Sequence, residues 1–98
     1  MTYCFDLDGT LCSSSPEDYT KAIPWQARID SVNKLYTESH HIVIYTARGM
    51  GTGIDYRTLT EWQLSDWGVL YHDLIMGKPL ADVYIDNKGI SDEEFFNE

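Results

Sequence analysis

FDLDGTL, residues 5–11, places two aspartates two positions apart at the end of an apolar run, followed by a glycine and a threonine. Neighbouring carboxylates repel, and each is costly to take out of water. TYCFDLD (2–8) is otherwise nearly continuous in apolar residues, as in a strand buried on both faces of a parallel sheet. If that strand ends at the aspartates, something positive must meet them there.

The rest of the chain supplies the partners for such a strand. Residues 13–24 are serine-rich with two prolines and read as a loop. Trp25, Ile29, Val32 and Tyr36 recur at spacings of four, three and four, one stripe of a helix. HIVIYT (41–46) is a second short buried strand, and RGMGTG (48–53), with three glycines, is a loop. Residues 55–67 read as a helix with Leu59 and Trp62 on one side. YHDLIMG (71–77) holds a third strand and DVYID (82–86) a fourth. Ser91 followed by Glu94 fits the capping box of a short last helix. Strands alternating with helices at this spacing predict an α/β domain over residues 1–98 with a small parallel sheet. The binding crevice of such a sheet lies at the carboxyl ends of its strands.

The residues at those ends form a set. Strand one ends in Asp6 and Asp8, strand two in Thr46, strand four in Asp86, and Lys78 lies just beyond strand three. Two hard carboxylates, Asp6 and Asp86, suit a small cation such as Mg2+. Asp6 can attack phosphorus as a covalent nucleophile, and Asp8 can exchange a proton with the leaving oxygen and then with water. Gly9 lets the backbone approach a phosphate, and Thr10 can fix the turn or the Asp8 carboxylate. Thr46 and nearby backbone N–H groups, that of Ala47 included, can hold a phosphoryl oxygen. Lys78 can pair with Asp6 and with the phosphate.

On these residues the chain resembles the haloacid dehalogenase-like (HAD) superfamily. FDLDGTL matches its first motif, and Thr46 in IYTAR, Lys78 in GKP and Asp86 in VYIDN match the second, third and fourth. The resemblance implies a Rossmann-like three-layer sandwich and an aspartyl-phosphate intermediate. Asp6 would be nucleophile and metal ligand. Asp8 would be general acid/base and would offer its carbonyl to the metal, and Asp86 would be the other protein ligand. An aspartate at position 8 implies the phosphatase branch. Many relatives carry a second acid after the metal aspartate, where this chain has Asn87, which can hydrogen-bond a metal-bound water. Asp82 or Asp92 could compensate, and Asp82 is also an ordinary loop cap before a strand.

About thirty residues separate Thr46 from Lys78, enough for one helix and its loops. This implies a member without a cap domain, whose open site suits a large substrate or a lid from another subunit. IYTARGMGTG and GKPLADVYIDNKG are most similar to small phosphatases associated with bacterial capsule or surface-polysaccharide biosynthesis. That similarity implies a phosphosugar, or a phosphorylated substituent of a sugar nucleotide or polysaccharide. Arg48 is either a contact to such a substrate or a surface arginine.

The net charge of −9 argues against unaided binding to nucleic acid or to an anionic membrane. The longest aliphatic stretch, residues 42–45, is too short to span a bilayer, and Asp6 and Asp8 fall where a signal peptide would be apolar. Cytoplasm is the default expectation. Cys4 reads as a core residue and Cys12 as an exposed one without a base partner. His40 and His41 precede strand two, away from the rim, and read as solvent-exposed, while His72 has no partner in sequence. Trp25, Trp62 and Trp67 are expected to pack helices onto the sheet. An exposed sheet edge would gain from dimerisation.

Two other functional classes compete. A receiver-type phosphoacceptor domain also combines acids, Thr, Lys and magnesium. Its phosphorylated aspartate ends a middle strand, however, and its acidic pair lacks the DxDGT form found here. A catalytically silent, partner-binding subunit is compatible with Asn87 and the small size, but not easily with retention of Asp6, Asp8, Lys78 and Asp86.

Overall fold

A computed structural model describes residues 1–97. The elements run β1 (Thr2–Asp6), α1 (Gln26–Thr37), β2 (His41–Tyr45), α2 (Arg57–Asp66), β3 (Asp73–Ile75) and α3 (Asp92–Phe96), with a 3₁₀ turn at Tyr19–Lys21. The three strands form a parallel sheet in the order β1-β2-β3, so the α/β expectation holds. Central β2 buries Ile42, Val43 and Ile44, as a strand covered on both faces must. Leu7, Leu11, Ile29, Val32, Leu64 and Leu74 complete the core around it.

The register sets the rim. Asp6 pairs with Tyr45, and Tyr45 with Ile75. The ladder continues past the strands: Thr46 N donates to the Ile75 carbonyl at 3.0 Å, and Lys78 N to the Thr46 carbonyl at 3.1 Å. Asp6, Thr46 and Lys78 are thereby held side by side at the carboxyl end of the sheet.

Two helices bury faces that their sequences foretell differently. In α1, Ile29 and Val32 turn inward as the stripe predicts. In α2 the buried residues are Thr60, Gln63 and Leu64, whereas Trp62 is 63% exposed. The expected Leu59/Trp62 face is corrected because Thr60 and Gln63 are needed inside as partners for a buried arginine, described below. Trp67 packs against the core, while Trp25 lies at the surface over Arg28. Ser91 caps α3, its hydroxyl accepting from Glu94 N at 3.2 Å. Phe95 and Phe96 then cover Phe5, with Phe95 also against Tyr3.

The expected fourth strand is not formed. Among the described residues, 82–86 pair with no strand, and Val83 and Ile85 are 70% and 91% exposed. The segment spends its hydrogen bonds locally. The Tyr84 hydroxyl donates to the Pro79 carbonyl and accepts from Ala81 N. The Asp86 carboxylate accepts from the N–H groups of Lys88 and Gly89. Such short-range bonds compete with a ladder. β1 is therefore an edge strand, and Cys4, expected in the core, is exposed.

The contrast between β2 and residues 82–86 is measurable. Ile44→Ala should cost about 2–5 kcal/mol of stability in chemical denaturation, as for other fully buried aliphatics. Ile85→Ser should stay within about 0.5 kcal/mol, as for a surface site. A core-sized loss at Ile85 would mean that this segment is a buried strand.

Candidate functional site

Asp6 is the last residue of β1, with its side chain 32% exposed, and Lys78 Nζ lies 3.4 Å from its Oδ1. Burial pushes the Asp6 carboxyl above the usual aspartate range, more than the Lys78 charge pulls it down, and the Asp8 charge adds a smaller upward push. The Lys78 ammonium sits over the rings of Tyr45 and Tyr84, 4.7 and 4.2 Å from their centroids. Ring faces attract a cation, so this lysine is aimed as well as charged.

Asp8 is not shared with Lys78. Its Oδ2 accepts from Arg48 Nε at 2.9 Å and its Oδ1 from Arg48 Nη2 at 2.8 Å. The arginine side chain is 0% exposed and that of Asp8 18%. Arg48 Nη1 donates to Thr60 Oγ1 at 3.1 Å and to Gln63 Oε1 at 2.6 Å. Its guanidinium also lies 4.6 Å from the Tyr19 ring centroid. Both sequence readings of Arg48, substrate contact and surface residue, are thus corrected. A charge this buried needs a full set of partners, and they come from three parts of the chain: the turn after β1, α2 and the stretch around Tyr19.

Thr46 is buried, and its hydroxyl accepts from Arg48 N at 3.1 Å. Ala47 lies between them, half-buried. Gly49 follows with φ +84°, and a Cβ there would stand 2.1 Å from the Ile54 carbonyl oxygen, so the loop closes only on glycine. Beyond it a cleft of about 150 Å³ is lined by residues that include Gly49, Met50, Ile54, Tyr56 and Met76. Gly9 makes the other tight turn, at φ +81°. Thr10 is tied through its backbone, its carbonyl accepting from Arg28 Nη1 at 3.1 Å.

Asp86 and Asn87 lie on the exposed segment, not at a strand end. The N–H groups of Lys88 and Gly89 hold the Asp86 carboxyl below the usual range, both donating to Oδ1. Asp92, one of the candidates to complete a metal site, is instead paired with Arg28 Nη1 at 2.6 Å, which lowers its proton affinity. Asp82 is exposed on the same segment as Asp86. Among the described residues, no three or more His, Cys, Asp or Glu gather to hold a metal ion. The fit to a divalent cation is partial: Asp6 is a desolvated carboxylate in want of positive charge, but Asp86 lies on the exposed segment with its Oδ1 engaged by its own turn.

His41 and His72 lie at the other end of the sheet. Their rings stack at 4.5 Å, His41 pairs with Asp73 at 2.8 Å, and His72 stacks on Tyr36 and accepts from Ile42 N. His72 thus does have partners, from elements too distant in sequence to be paired by inspection. Cys12, expected to be exposed, is buried beside Asp8, with Sγ 3.5 Å from Oδ1.

No protein-family model matches the chain, and no curated protein does. A crystal structure of a protein from Vibrio cholerae superposes with a TM-score of 0.89 at 28% identity, covering 99% of this chain and 88% of that one. The likeness extends the α/β fold over essentially the whole chain. Among the described residues no helix is long and apolar enough to cross a membrane.

Burial, with the Asp8 charge adding to it, pushes the Cys12 thiol up to about 12. In a thiol titration at pH 8, Cys4 should react at once and Cys12 only after denaturant is added, since the thiolate is the nucleophile. Two fast thiols in the native protein would contradict the burial described.

Proposed function

We propose that the chain is a HAD-type phosphomonoesterase without a cap domain, acting through an aspartyl-phosphate. The observation that carries this reading is the alignment of Asp6, Thr46 and Lys78 along one rim by strand register, with Asp8 two residues beyond Asp6. An Asp6 carboxylate oxygen attacks phosphorus, the ester P–O bond breaks, and Asp8 gives the leaving oxygen its proton. Asp8 then takes a proton from water, whose oxygen attacks the aspartyl-phosphate, releasing inorganic phosphate and restoring Asp6. The Lys78 ammonium offsets charge on Asp6 and the phosphoryl group. Backbone N–H groups after Thr46 are candidate donors to a phosphoryl oxygen. A magnesium ion held by Asp6, Asp86 and the Asp8 carbonyl, with Asn87 on a bound water, would neutralise further phosphate charge.

The open rim and the resemblance of the 44–53 and 77–89 stretches support a phosphosugar or a phosphorylated substituent as substrate. The setting would be cytoplasmic synthesis of bacterial capsule or surface polysaccharide. One observation favours a second reading, a catalytically silent subunit that binds a partner: the Asp86 carboxylate is occupied by its own turn on an exposed segment.

Phosphate release decides between them, measured with aryl and sugar phosphates with magnesium and again with a chelator. The wild type should turn over with magnesium and lose that activity on chelation. Asp6→Asn keeps an Oδ1 acceptor for Lys78 but has no nucleophilic carboxylate, and should lose activity at least 100-fold while melting as a folded protein. A folded wild type that releases no phosphate from any ester would favour the silent subunit.

A further inference from the structure

We infer that Arg48 is a positioning residue for proton transfer, fixing the Asp8 carboxylate and linking it to the segment around Tyr19. This rests on the phosphomonoesterase reading. Three features of the geometry point to it. First, the guanidinium cannot serve a substrate: its side chain is fully buried, its Nε, Nη1 and Nη2 all donate within the protein, and Tyr19 covers its face. Second, the contact to Asp8 is two-pronged, Nε to Oδ2 and Nη2 to Oδ1, which fixes the plane of the carboxylate as well as its place. Third, the arginine is itself braced. Thr60 and Gln63 from α2 accept from Nη1, and the Gln63 amide donates in turn to the Tyr19 carbonyl at 2.7 Å.

The consequence is chemical. A group that gives a proton in one step and takes one in the next must keep its orientation through both, and misplacement of about 1 Å can cost about 100-fold in rate. The carboxylate of Asp8 sits in a turn, after β1 has ended, where no ladder holds it. Arg48 supplies the rigidity that the strand no longer does. The same arginine joins this turn to the chain after Thr46 through its backbone N–H. The proton-transfer group and the phosphate-facing end of β2 thus move as one unit, with Tyr19 as its roof.

The test is steady-state phosphate release with magnesium on para-nitrophenyl phosphate and on a hexose 6-phosphate. The proteins are wild type, Arg48→Gln, Asp8→Asn, the double variant and Arg48→Lys. Arg48→Gln should lower kcat about 100-fold with KM changed less than about threefold, within the range that proton-transfer groups contribute. The loss should be larger on the hexose ester, whose leaving oxygen needs a proton more than a nitrophenolate does. In the Asp8→Asn background the same substitution should change kcat by less than about threefold, since there is no acid left to position. Arg48→Lys should recover part of the rate, and if Arg48→Gln fails to melt cooperatively it carries the KM and leaving-group tests alone. A rise in KM at constant kcat, equal losses on both esters, or additivity with Asp8→Asn would overturn the inference while leaving the phosphatase reading intact. A wild type inactive on both esters would overturn the reading and the inference with it.

Discussion

The Arg48 guanidinium is the group that the surrounding structure is built to satisfy. A fully buried cation is tolerable only with a carboxylate and further acceptors around it, and here each acceptor is drawn from a distant segment. Asp8 comes from the turn after β1, Thr60 and Gln63 from α2, and the Tyr19 ring from the stretch before α1. The Thr46 hydroxyl takes the arginine N–H, and Gly49 lets the chain fold back directly afterwards. The polar inner face of α2 follows from this need. So does the burial of Cys12, whose thiol lies against the same carboxylate.

A second constraint is the pairing of charges along FDLDGTL. Burial raises the proton affinity of Asp6, and the neighbouring Asp8 charge adds a smaller push in the same direction. The fold gives each aspartate its own cation: Lys78 for Asp6 and Arg48 for Asp8. The two cations differ in kind. Lys78 is a point charge at 3.4 Å, steered by two aromatic rings, and its side chain is 10% exposed. Arg48 is a planar clamp with no access to solvent. One carboxylate is thus left partly open to the rim and the other is locked in orientation, although the two stand only two residues apart.

Much of this was legible in the sequence where the signal was local. The apolar runs at 2–8 and 41–46, within which β1 and β2 form, the stripe through Ile29 and Val32, and the Ser91 cap all correspond to observed elements, because each depends on neighbours in the chain. The rim residues Asp6, Thr46 and Lys78 were legible through the strand-end rule, since register alone aligns them. What could not be read were long-range pairings. Nothing near Arg48 in sequence announces Asp8, 40 residues earlier, so its burial was invisible. The signal that could have found it was present in α2: Thr60 and Gln63, three apart, put two neutral hydrogen-bonding side chains on one face of the helix. Cys4 and Cys12 exchanged their expected places for a related reason. Cys4 lost its cover when β1 proved to be an edge strand, and Cys12 gained cover from the buried pair.

The segment 79–90 shows the limit of pattern reading most sharply. Its alternation of Val83, Tyr84 and Ile85 between aspartates has the period and composition of a strand. Yet the same residues offer the backbone cheaper partners: a tyrosine hydroxyl bridging Pro79 and Ala81, and a carboxylate that takes two successive N–H groups. These bonds close rings of only a few residues, so they require little loop entropy, whereas pairing with β1 must order a longer stretch of chain. The local bonds also put Tyr84 over Lys78, so the segment is coupled to the rim even while it stays exposed. Both N–H groups of this turn bind the same Asp86 oxygen, Oδ1. Movement of this segment would also shift the Tyr84 ring that lies over the Lys78 ammonium.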